Sequence, residues 1–142
     1  MAGMSNTLID KIVNTTTPTG TSGAPGTYSA YAASAMKVRL NSTASTAAAA
    51  GTELTGSGYT AGGIAVPAAS SASSGGAGVS LPATSALTWT NASGGAWSIV
   101  SFDLTDSAGA RSWFGNFTGQ PISVANGNSF TIAVAGITIT AA

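Results

Sequence analysis

The longest uninterrupted strand pattern of hydrophobic and polar residues runs from Trp97 to Thr105. Val100, Phe102 and Leu104 sit two apart and line one face of a predicted strand; Ser101, Asp103 and Thr105 line the other. Trp97 and Ile99 have the opposite parity, so the pattern predicts a β-bulge between Ile99 and Val100. Asp106 to Gly109 is a turn sequence, with Asp first and Gly last, and an aromatic strand from Arg111 to Phe117 completes a hairpin. This hairpin is the expected centre of the fold.

The same period marks further strands. Met36, Val38 and Leu40 point one way and Lys37, Arg39 and Asn41 the other, with the two cations read as a solvated face or edge protection. Short strands are predicted at Gly63 to Ala68, Val79 to Pro82, Ala86 to Thr90, Ile122 to Val124, Ser129 to Val134 and Ile137 to Thr140. Asn126-Gly127-Asn128 is a hairpin turn signal. About eight strands with frequent turns and no internal repeat predict an all-β antiparallel β-sandwich, jelly-roll-like, over 36–142.

Residues 1–35 break the pattern and are read as a separate N-terminal segment. Residues 1–4 are a short tail. Ser5 caps a predicted short helix in which Leu8, Ile9, Ile12 and Val13 fall at helical spacing. A helix that short needs a surface to pack on, either its own domain or a neighbouring subunit. Asn14 to Gly26 has no core-forming residues and reads as an extended arm, with Tyr28 and Tyr31 placed to pin it. Between the strands, Asn41 to Ala50 is a Ser/Thr/Ala loop in which 48–50 is read as a turn of helix, and Ala69 to Gly78 is a low-complexity connection.

Composition narrows the chemistry. The chain has 142 residues, enough for one domain that buries about 68–70% of its unfolded surface. Four basic and four acidic residues cancel, which leaves no electrostatic footprint for nucleic acid or an anionic membrane. No hydrophobic run approaches the roughly 20 residues of a membrane span, and no signal-peptide pattern directs Sec export. A surface so poor in charge suits a protein locked into an assembly or an extracellular β-protein, the plainer reading being a Gly/Ala/Ser-rich genomic style.

The chain has neither His nor Cys, so Ser-His-Asp and Cys-His catalysis and the usual zinc sites are excluded. Asp103 and Asp106 form no defined acid pair and are read as structural. No phosphate-binding glycine motif is present, and no cofactor is expected. Trp89, Trp97 and Trp113 are read as core or interface anchors ahead of a sugar-stacking platform. Asn14, Asn41, Asn91 and Asn116 open N-x-Ser/Thr sequons, expected by chance in a chain this rich in Ser and Thr. The segment Gly51 to Tyr59, GTELTGSGY, holds three glycines and the sole glutamate. Glu53 is read as a loop-structuring residue that accepts backbone N–H groups, with Tyr59 beside it.

These segments together resemble a family of small tailed-bacteriophage virion proteins, variously labelled head decoration, tail fibre or minor structural proteins. The likeness rests on the helix at Met4 to Ile12, the strand around Val38 to Leu40, the GTELTGSGY block, the strand from Trp97 to Leu104, and the ending Ile122 to Ile132 with Gly136 to Ile139. It skips 14–35 and 69–85. It departs where the family carries Arg two residues after the Tyr, here Ala61, and where its Gly-Asp turn is Gly127-Asn128.

The resemblance implies no enzymatic activity. It implies a capsid decoration (cement) protein on the outer capsid surface of the virion, made in the cytoplasm of the bacterial host. Its partners would be the major capsid protein and copies of itself in a trimer or other small oligomer, through Leu8, Ile9, Ile12, Val13, Tyr28 and Tyr31. The alternative it leaves open is a tail fibre, neck or tail-tip protein contacting the host surface.

Overall fold

The computed structural model describes residues 2–4, 36–67, 79–82, 84–106 and 108–139. These form eleven strands and no helix: β1 (Ala2–Met4), β2 (Lys37–Asn41), β3 (Ile64–Ala65), β4 (Val79–Leu81), β5 (Leu87–Thr90), β6 (Trp97–Ile99), β7 (Ser101–Thr105), β8 (Arg111–Asn116), β9 (Ile122–Val124), β10 (Ser129–Ile132) and β11 (Ile137–Ile139). All described pairings are antiparallel. The fold is therefore all-β. The predicted helix around Leu8, Ile9, Ile12 and Val13, the arm with Tyr28 and Tyr31, and the 69–78 connection lie outside the described residues.

One five-stranded sheet has the order β1-β8-β7-β2-β3, which puts β7 in its middle. Ala2–Met4 pairs with Gly115, Phe114 and Trp113, so these residues are an edge strand rather than a tail. Ala2-Gly3-Met4 has no polar position to set an alternation, so the sequence does not announce a strand there.

The remaining strands extend the β7–β8 hairpin outward. From its tip at Asp106, β7 meets β8, then β6 meets β9, β5 meets β10 and β4 meets β11. Hydrogen bonds bridge the gaps, among them Phe117 N–H to Val100 O (3.0 Å), Asn91 N–H to Asn128 O (2.9 Å) and Ala135 N–H to Pro82 O (2.9 Å). The chain from 79 to 139 is thus one long antiparallel hairpin, folded over and nested upon itself. Asp106 closes its tip by accepting the N–H groups of Ala108 and Ala110 on Oδ1.

Val100 is where this hairpin changes sheets. Before it, Trp97–Ile99 pairs with β9; after it, Ser101–Thr105 pairs with β2 and β8. Val100 lies in neither strand and donates to Asn41 O at 2.9 Å. The parity slip read from the sequence is absorbed here, so Trp97, Ile99, Phe102 and Leu104 all enter the core. They join Val38, Leu40, Leu54, Val66, Leu81, Leu87, Trp89, Val124, Ile132 and Ile137. The β10 strand ends two residues sooner than its alternation implies. Val134 lies in the turn before β11 and is 49% exposed.

Candidate functional site

The GTELTGSGY block is built onto the edge of β2. β3 covers only Lys37 and Val38 of that edge. Beyond it, Glu53 bridges Asn41, and Leu54 donates its N–H to Leu40 O at 2.9 Å. The Leu40 N–H goes to the Tyr59 hydroxyl at 3.2 Å. The block thereby completes a strand edge that would otherwise present unpaired backbone groups. Glu53 Oε1 accepts the Gly62 N–H at 2.6 Å, and Arg39 stands 4.0 Å from its other oxygen. The carboxylate is thus met by backbone and by an arginine of β2.

The far side of the block touches the β5–β6 turn. Ala92 donates to Ser57 O at 3.0 Å, and Gly58 approaches so closely that a Cβ there would overlap the Thr90 carbonyl. Tyr59 packs edge-on against Trp97, ring centroids 6.2 Å apart. Burial raises the Tyr59 phenol above its usual pKa, opposed by the Leu40 backbone hydrogen bond and reinforced by the Glu53 charge. The phenol is therefore a neutral donor and acceptor throughout the physiological range.

A second cluster lies on the polar face of β2 and β7. Asp103 is fully buried. Its Oδ2 accepts from Arg39 at 2.7 Å and from Asn41 Nδ2 at 2.9 Å, and Arg111 stands 3.6 Å from Oδ1. Asn41 Nδ2 also reaches the hydroxyls of Ser45 and Ser101 at 3.0 and 3.1 Å. The 42–51 loop covers this face, with no helical turn. Arg111 ties it down by donating to the carbonyls of Ala47 (3.1 Å) and Ala49 (2.8 Å). Arg39 was expected on a solvated face; instead its side chain is only 18% exposed and paired. Alternation identifies residues that share a face, whereas the loop decides that the face is covered.

These two clusters absorb Arg39, Glu53, Asp103 and Arg111. Every charged residue among the described ones is buried or half-buried. What the exposed positions of β5, β6, β9 and β10 offer is hydroxyl. Along the nested hairpin Thr88 faces Thr131, Thr90 faces Ser129 and Ser98 faces Ser123, all exposed. The first two pairs are hydrogen bonded at 3.1 and 2.8 Å. The intervening cross-strand pairs are apolar and inward: Leu87 with Ile132, Trp89 with Phe130, Trp97 with Val124 and Ile99 with Ile122. Such a surface makes contacts by shape and hydrogen bonding, with no charge to steer or be screened.

A cleft of about 580 Å³ opens between the β7–β8 end and the β10–β11 turn, lined by Phe102, Phe117, Phe130, Ile132 and Ile137 among others. Among the described residues no charged side chain lines it. Trp89 and Trp97 are core residues, so they form no exposed platform. The sequon asparagines Asn41 and Asn91 are fully buried, and the Asn116 amide is tied to the Ser45 backbone. Asn14 lies outside the described residues.

Two residues with organising roles were not singled out from sequence. Arg111 is the second cation on Asp103. Asn91 holds the β5–β6 turn by donating to Gly95 O and Val124 O, both at 2.8 Å, while its Oδ1 accepts from Ser93. Sequence marks Asn91 as a sequon asparagine; its reach to Val124 on β9 joins residues that no local pattern links. Compared with family models, curated proteins and solved structures, the chain matches none.

Proposed function

We propose that this chain is a structural protein of a tailed-bacteriophage virion, a decoration protein that binds the outer capsid surface and stabilises the assembled shell. One observation carries the reading. The GTELTGSGY block, the most specific part of the resemblance, acts here as one structural unit that seals the β2 edge and docks the β5–β6 turn. A motif that serves architecture in this way suits a virion protein without catalysis. The four nested pairs β4/β11, β5/β10, β6/β9 and β7/β8 support a jelly roll, which we propose as the finer description of the fold.

The mechanism is mechanical. A protein that binds the assembled lattice and not the free subunits draws the equilibrium toward the lattice by mass action. The uncharged hydroxyl face suits permanent contact with the major capsid protein and with other copies of the chain. The 1–35 segment, with Leu8, Ile9, Ile12, Val13, Tyr28 and Tyr31, is the proposed reach to neighbouring subunits.

The tail fibre, neck or tail-tip alternative is favoured by the uncharged, phenylalanine-lined cleft, a place for a neutral host-surface ligand. The test is the copy number of this chain per major capsid protein in purified particles, by quantitative mass spectrometry. A ratio on the scale of the capsid lattice is the expected result. A handful of copies per particle moves the protein to the tail or neck, and absence from particles overturns the reading.

A further inference from the structure

We propose that Asn126 is a self-modification site, converted to aspartate and isoaspartate through a cyclic imide, and that the hydrogen bond from Gly127 to Asn91 gates the reaction. Asn126-Gly127 is the sole Asn-Gly pair in the sequence, and both residues are exposed. A glycine successor offers the least hindered backbone nitrogen for attack on the preceding side-chain amide. The Gly127 nitrogen bonds to Asn126 Cγ and gives up its proton. The side-chain nitrogen takes that proton and leaves as ammonia. Water then opens the five-membered imide at either carbonyl, leaving aspartate or isoaspartate.

The fold holds both reacting groups, with opposite effects. Gly94 donates its N–H to Asn126 Oδ1 at 2.9 Å, which polarises the carbonyl that would be attacked. Gly127 donates its own N–H to Asn91 O at 2.7 Å, which occupies the nucleophile. The electrophile is thus prepared and the nucleophile locked. Asn91 is fully buried and held by Gly95, Val124 and Ser93, so the lock opens only when this turn cluster loosens. Reaction at Asn126 would place an exposed carboxylate where every charged side chain among the described residues is buried or half-buried.

The experiment incubates the purified full chain at mildly alkaline pH and follows conversion at Asn126 by peptide-mapping mass spectrometry, beside a synthetic peptide of residues 122–132. The chain is expected to react at least about tenfold more slowly than the peptide. Ser93→Ala and Asn91→Ala are expected to accelerate the chain severalfold. Gly127→Ala is expected to suppress conversion in chain and peptide alike. Gly115→Ala, a strain remote from the turn, is expected to leave the rate unchanged and separates local loosening from general loss of stability. Equal rates in chain and peptide overturn the gate, and so does a Ser93→Ala chain that reacts as slowly as the parent. Conversion confined to other asparagines overturns the site.

Discussion

Gly115 lies directly across the β7–β8 ladder from Phe102, and the Phe102 ring occupies the space a Cβ at Gly115 would take, 2.5 Å from its nearest carbons. The ring stays folded over the glycine and against Phe117, centroids 5.4 Å apart. Gly115→Ala is expected to destabilise by about 1–3 kcal/mol, because the ring must leave its packing site. Thermal unfolding checks this, with Tm expected to fall by roughly 3–10 °C.

Asp103 is the common partner of Arg39 and Arg111 and is fully buried. Asp103→Ala removes the buried carboxylate that both guanidinium groups meet, leaves Arg39 only Glu53 at 4.0 Å, and is expected to cost about 3–5 kcal/mol. Replacing all three by Arg39→Met, Asp103→Leu and Arg111→Met removes the charges together and is expected to cost much less. Urea midpoints of the two variants give the comparison, and equal losses would refute it.

Tyr59→Phe keeps the ring against Trp97 and removes the hydroxyl that receives the Leu40 N–H, at an expected cost of about 1 kcal/mol. Because burial raises the folded phenol's pKa, the unfolded chain loses this proton first as pH rises. The contribution is whole below the unfolded value of about 10 and is lost progressively above it. Urea midpoints from about pH 8 to about pH 11 are therefore expected to fall less in Tyr59→Phe than in the parent.

On the proposed role, with the hydroxyl face making the contact, attachment of the protein to particles is expected to vary less than about twofold between low salt and about 1 M salt, since the described charges are internal or half-covered. Co-sedimentation with particles across that range measures it. Release at high salt would show that charged groups make the contact.

Local alternation disclosed the strands around Val38, Trp89, Phe102, Ile122 and Phe130 because each spans enough residues to display a period of two. It also located the break at Val100. It could not disclose which strands pair, since Leu87 meets Ile132 through contacts that no local window contains. Nor could it disclose that the polar face bearing Asp103 is buried. The covering loop, from Ser42 to Gly51, has the composition of a solvated connection, and its hold on the sheet depends on Arg111 from another strand.

The nested hairpin also imposes an order on folding. The Asp106 turn closes the smallest loop, and once it has formed, each outer strand pair closes only a short additional segment. Zipping outward from the tip spreads the entropic cost over small steps. β2 has no such path. Arg39 and Asp103 are 64 residues apart in sequence, so β2 docks onto a hairpin that must already exist. Substitutions at the β7–β8 tip should therefore slow refolding, whereas those in β2 and in the outermost β4–β11 pair should mainly hasten unfolding.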